Sequence, residues 1–149
     1  MLARIRQSAK TENDKGFTLI ELLVVMIIIG ILAAIAIPVF LNQRQKAQDS
    51  ATKADVSSLG KEVSTYFVDN MTVPGAAALA VNGSGQYTFN GTVVGRKSQS
   101  AITISSQNYT SSTAWCIALA NTNGTGTGIW KYSAVNGLQS GACVNGTDY

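Results

Sequence analysis

Residues 17–37 read FTLIELLVVMIIIGILAAIAI, an apolar run whose single charge is Glu21. As an α-helix it would extend roughly 30 Å, the thickness of a bilayer's hydrocarbon core. A secretory signal peptide has a shorter apolar region, roughly 7 to 15 residues, followed by a small-residue cleavage site. This run is longer and holds an internal acid. A buried core helix does not suit it either, because the apolar character runs right round the helix in a chain with room for one modest domain. Residues 17–41 are therefore expected to form a membrane-length helix.

The flanking composition agrees. The 149 residues are 46% hydrophobic but 13% charged, well below the roughly 25% of an ordinary soluble domain. The sequence pI of about 9.0 invites a nucleic-acid reading, but most of the net charge sits ahead of the apolar run. Arg4, Arg6, Lys10 and Lys15 outnumber Glu12 and Asp14 there, giving +2 of the formal +3. Nucleic acid is not expected as a partner. Arg96-Lys97, with Lys131, could touch DNA, but it reads as a solvated loop. The chain has no histidine and two cysteines, which removes Ser-His-Asp and Cys-His catalysis and any His zinc ligand, and two cysteines alone cannot build a four-ligand structural site. No catalytic residue, cofactor or metal is expected, and the chain does not read as an enzyme. Cys116 and Cys143 lie on the same side of the apolar run, which suits an exported domain with one disulfide. Basic residues on the two flanks are nearly balanced, so charge alone leaves the orientation open.

Pro38 follows the run, yet a helical pattern resumes beyond it. Ala47, Ala51, Ala54, Val56, Leu59, Val63 and Phe67 recur at three- and four-residue steps, opposite Lys53, Asp55, Lys61 and Glu62, which predicts an amphipathic continuation over 42–72. Val73-Pro74-Gly75 is the expected stop. Strands are expected at Gln86–Phe89, Thr92–Val94, Ala101–Ser105, Thr113–Ala120 and Ile129–Ser133. Asn90-Gly91 marks a type I′ hairpin. Residues 73–149 thus read as a small antiparallel β-sheet, and the fold class as α+β: a long N-terminal helix whose distal half lies on that sheet and whose apolar end projects.

A carboxylate inside a bilayer costs on the order of 2.5 to 3.5 kcal/mol at the helix centre, so Glu21 calls for a partner. A cut after Gly16 would create one, since the new α-amino group of Phe17 in one copy could neutralise Glu21 in another and set the register between copies. Lys15-Gly16-Phe17-Thr18-Leu19-Ile20-Glu21, followed by Gly30 and Pro38, resembles the type IV pilin and pseudopilin family over roughly Met1 to Arg44. The resemblance implies removal of a leader, 1–16, by a membrane prepilin peptidase and N-methylation of Phe17. It implies a precursor anchored once in the inner or cytoplasmic membrane with its C-terminal domain outside. An assembly ATPase and a platform membrane protein would then build it into a helical homo-oligomeric filament at the cell surface. Gly30 and Pro38 would mark where the helix kinks, and Glu21 would support subunit assembly and an ordinary internal, major position. A disulfide between Cys116 and Cys143 would bound the variable surface region, where Trp130, Lys131 and Tyr132 could meet partners, although core packing is favoured for Trp130. A pseudopilin of a type II secretion or DNA-uptake system is the alternative within the family. A monomeric membrane-anchored binding module is the alternative outside it. Six Asn-x-Ser/Thr sequons begin at Asn70, Asn82, Asn90, Asn108, Asn123 and Asn145; several are also Asn-Gly turns, whose chemistry needs no sugar, and glycosylation is not expected.

Overall fold

The computed structural model describes residues 16–70 and 72–144, so residues 1–15 of the expected leader and the sequon at Asn145 lie outside the described residues. Helix α1 runs from Leu19 to Asp69 without interruption at Gly30 or Pro38. The chain nonetheless divides into two compact units at Val39 and Phe40, directly after that proline. The described part of the first unit is the apolar helical stretch. Among the described residues α1 is the one helix long and apolar enough to cross a membrane, with a mean hydropathy of 3.1 over its best window.

The second unit holds the rest of α1 and seven described strands, which follow in chain order: β1 (Leu79–Val81), β2 (Gln86–Phe89), β3 (Thr92–Arg96), β4 (Ile102–Ser111), β5 (Ala114–Asn121), β6 (Ile129–Ser133) and β7 (Gly137–Ser140). They form two antiparallel sheets, β1-β2-β3 and β4-β5-β6-β7, where the sequence pattern had suggested one. The β2–β3 connection is the expected Asn-Gly turn, with Asn90 at φ 51° and Gly91 at φ 84°, both positive as a type I′ turn requires. Strands β1 and β7 are additions to the expected set. β1 lies in the Ala-rich stretch, and β7 is mostly exposed, so neither shows the apolar alternation that announces a strand.

The core is built where Val56, Leu59 and Val63 of α1 meet Leu79, Tyr87, Phe89, Ile102, Tyr109, Trp115, Ile117 and Leu119. Trp115, Ile117 and Leu119 alternate along the central strand β5 and so share its helix-facing side. Gly60 allows the closest approach of helix to sheet. A Cβ there would lie within 3.0 Å of three atoms of the Tyr132 ring, which is itself stacked on Trp115. The carboxamide of Gln107 on β4 ties the two sheets together. Its Oε1 accepts from Leu79 N at 2.8 Å and its Nε2 donates to Leu79 O at 2.9 Å, doing for the edge of β1 what another strand would do.

Two expectations are corrected by the helix. It ends at Asp69, short of the Val73-Pro74-Gly75 stop, and Asn70 donates from both its backbone N and its Nδ2 to the Tyr66 carbonyl. Asp55, assigned by periodicity to the solvent face, is buried, as is Asp49, while Ala47 and Ala54 are exposed. Each buried carboxylate is satisfied by a loop. Asp55 accepts from Tyr87 Oη at 2.9 Å, from Ser98 N at 3.0 Å and from Ser98 Oγ. Asp49 accepts from Thr125 N at 3.1 Å and from Thr125 Oγ1. The two aspartates therefore fasten the links β3–β4 and β5–β6 onto the helix.

Candidate assembly segment

Every large apolar side chain from Phe17 to Leu41 is exposed, from 47% at Val24 to 90% at Leu19. The apolar surface is continuous round the helix and has no cover within its own unit. One polar constellation interrupts it. Thr18 precedes the first helical residue, and its backbone N and Oγ1 donate to Glu21 Oε2 at 3.0 and 2.7 Å, while Glu21 N donates back to Thr18 Oγ1 at 3.3 Å. This is a capping box, in which an N-terminal Thr and an acid three residues on satisfy helix donors that have no intrahelical acceptor. The Thr-x-x-Glu spacing was present in the sequence and gives Glu21 a local structural role that the charge argument had passed over. Both bonds from Thr18 fall on the same carboxylate oxygen. Gly16 and Phe17 lie ahead of the helix, with Phe17 exposed, and a Cβ on Gly16 or Gly30 would meet no atom within 4 Å.

The remaining site residues fall in the second unit. Cys116 and Cys143 are joined as a disulfide across a separation of 27 residues. Cys143 N also donates to Ser106 Oγ at 2.9 Å, which holds the C-terminal segment against β4. Trp130 packs against the core, and the Lys53 ammonium sits 3.9 Å from its ring centroid. Lys131 is buried at 9% exposure, so it belongs neither to a basic surface patch nor to an exposed partner surface. Lys97 Nζ donates to the Ser100 carbonyl and braces its own loop. Asn90, at the hairpin turn, donates its side-chain amide to Tyr66 Oη at 3.0 Å. The polar knot around Asn121, whose Nδ2 reaches Thr52 Oγ1 at 3.1 Å and Gln48 Oε1 at 3.2 Å, was not foreseen. It depends on residues some seventy positions apart.

Residues 12–37 match the family described as the prokaryotic N-terminal methylation motif. The chain is 48% identical over 58 residues to the type IV wide pilus major component PilA4 of Thermus thermophilus, covering 39% of this chain and 44% of that protein. It is 34% identical over 64 residues to the type II secretion system core protein G of Escherichia coli, covering 43% and 44%. It is 41% identical over 63 residues to the type IV major pilin PilA of Myxococcus xanthus, covering 42% and 29%. The match spans less than half the length of each of these relatives. No solved structure matches the chain. The Thr18–Glu21 cap and the start of the exposed apolar helix lie within the matched methylation motif, and over part of its length the chain is similar to type IV pilins and to type II secretion core protein G.

Proposed function

We propose that the chain is a structural subunit, a major type IV pilin, that assembles into a surface filament after cleavage between Gly16 and Phe17 and N-methylation of Phe17. The observation that carries the reading is the uncovered apolar helix. Each large side chain on it gains about 1.5 to 3 kcal/mol when removed from water, so it requires lipid before assembly and other copies of itself afterwards. A prepilin peptidase, an assembly ATPase and a platform membrane protein are the partners this life cycle needs. Glu21 serves twice in this scheme. One oxygen caps its own helix through Thr18, and the other is left to accept the Phe17 amine of a neighbouring copy in a low-dielectric core, where removal of either charge strands its partner. Gly30 and Pro38 are proposed as the points where the helix yields during extraction from the membrane. The likeness to type II secretion core protein G favours a pseudopilin as the second reading.

The test is co-expression with a prepilin peptidase and the assembly machinery, with intact mass and sheared filament yield as readouts. Loss of residues 1–16, a methyl group on Phe17 and filaments from the wild-type chain are expected. Glu21→Gln keeps a side chain that a capping box accepts and removes the charge, so it should be cleaved normally and assemble poorly. A chain left whole or cut elsewhere refutes the filament reading. Normal filament yield from Glu21→Gln refutes the charge role.

A further inference from the structure

The start of α1 in the second unit forms one wall of a cleft of about 320 Å³. Leu41, Arg44, Gln45 and Gln48 line it, at the spacing that puts residues on one side of a helix, and Thr122 and Asn123 of the β5–β6 link complete it. The lining is rich in donors. Arg44 brings a guanidinium with five N–H groups and no acceptor, and no acid is among the lining residues. Asp49, next to Gln48 in the chain, is turned instead to Thr125. Gln48 Oε1 accepts from Asn121 Nδ2 at 3.2 Å, which leaves the Gln48 amide N–H groups to the cleft. The same buried Asn121 shapes the other wall, since its Oδ1 accepts from Asn123 N at 3.0 Å and fixes the turn that carries Thr122 and Asn123. Among the described residues, the side chains of Arg44, Gln45, Thr122 and Asn123 make no hydrogen bond or ion pair within the chain. An anion is what these donors lack.

We propose that this cleft takes the phosphate of an anionic phospholipid in the bilayer that holds the precursor, an inference that rests on the membrane-anchored stage of the function proposed above. The donors suit a phosphodiester, whose two unbridged oxygens accept a bidentate pair of bonds from a guanidinium and single bonds from amides and a hydroxyl. The occupant is a lipid because of where the cleft begins. Leu41 is the last residue of the expected membrane helix, and it is also the apolar member of the lining. From Leu41 to Arg44 the helix rises about 4.5 Å, while the headgroup layer on each side of a bilayer is about 5 to 7 Å deep. Side chains on a helix lean toward its N-terminus, so the Arg44 guanidinium is carried back toward Leu41 and the level of the lipid phosphates. Apolar contact at Leu41 followed by donors at Arg44 matches the order of acyl chain and phosphate in a lipid. A domain held in this way rests on the leaflet until assembly draws the helix out and the cleft gives up its lipid.

The test is native mass spectrometry of the full chain released from mild detergent, with phosphatidylglycerol as the probe and diacylglycerol, which has the same tails and no phosphate, as the control. One phosphatidylglycerol per wild-type chain and no retained diacylglycerol are expected. Arg44→Ala should weaken retention about tenfold and Asn123→Ala about threefold, as expected for a charge-assisted and an ordinary hydrogen bond. Lys46→Ala removes an exposed charge that does not line the cleft and should change retention by less than about twofold. Oxidised Cys116 and Cys143 in the same spectra show that each variant has folded. Undiminished retention by Arg44→Ala, or equal losses from Arg44→Ala and Lys46→Ala, overturns the proposal, the second by revealing general charge attraction. Displacement of the lipid by an equal concentration of inorganic phosphate overturns the lipid assignment in favour of a free anion. Each of these results leaves the filament reading intact. A chain that retains lipid and is cleaved, but yields no filaments on co-expression with the assembly machinery, overturns the filament reading alone, and a chain that fails to enter membranes overturns both.

Discussion

Replacing Asp55 by Ala should cost the second unit about 3 to 4 kcal/mol, and the pattern of that loss tests whether this buried carboxylate holds the two sheets' connecting link to the helix. The magnitude follows from what each donor can do once its acceptor is gone. Tyr87 is 1% exposed, so its hydroxyl, now 2.9 Å from Asp55 Oδ2, cannot turn to water and bears a desolvation penalty of about 2 kcal/mol. Ser98 is exposed; its N–H and hydroxyl regain solvent, so their two bonds contribute about 0.5 to 1 kcal/mol each. Tyr87→Phe in the parent should cost about 1 kcal/mol, since Asp55 keeps both bonds from Ser98. In the Asp55→Ala background the same change should be neutral or stabilising, because it removes an orphaned hydroxyl. The cycle is measured by urea unfolding of a soluble form spanning residues 42–149, with the disulfide intact, by circular dichroism. The coupling energy should be about 1 to 2 kcal/mol. Equal costs for Tyr87→Phe in both backgrounds would refute the reasoning.

Gly60→Ala should lower the stability of the same form by about 1 to 2 kcal/mol despite alanine's advantage of about 1 kcal/mol in a helix, because the added methyl collides with a Tyr132 ring that is stacked on Trp115 and cannot swing aside. A rise in melting temperature would show that the helix and sheet separate there at little cost. Alkaline titration should reveal Tyr87 and Tyr109 as late. Burial holds both phenols well above their usual range, and for Tyr87 the neighbouring Asp55 charge and hydrogen bond add to it. A raised folded-state value means that the stabilising contribution is fully present below about pH 10, where the unfolded phenol ionises, and is lost as pH climbs beyond it. Phenolate absorbance from these two should therefore appear together with unfolding. Their ionisation in a chain that keeps its near-ultraviolet dichroism would contradict the burial argument.

The helix, the hairpin turn and the disulfide were legible in the sequence because each is announced locally or by elimination. A 21-residue run with one charge, an Asn-Gly pair between short strands, and two cysteines beyond the run leave few alternatives. The capping box was legible too, as Thr18 and Glu21 at a spacing of three, but the cost of an acid in a membrane drew the reading elsewhere. Asp55 was not legible. Helical periodicity places a charged residue outward by default, and its burial depends on Tyr87 and Ser98, 32 and 43 positions away. The division into two sheets was hidden for a related reason. Strand signals say where ladders form but not where one ladder stops; the break at residues 97–101 is held by long-range bonds from Ser98 to Asp55, and the edge of β1 is taken up by Gln107.

Both sheets run in simple order, each strand hydrogen-bonded to the one immediately before or after it in the chain. A chain emerging N-terminus first could therefore lay down its strands as they arrive, on a helix already formed, with no strand waiting for a distant strand. The covalent link comes last, since Cys143 follows the final strand. Oxidation then acts as a check on completed folding, because the two thiols meet only after β4 to β7 have taken their places.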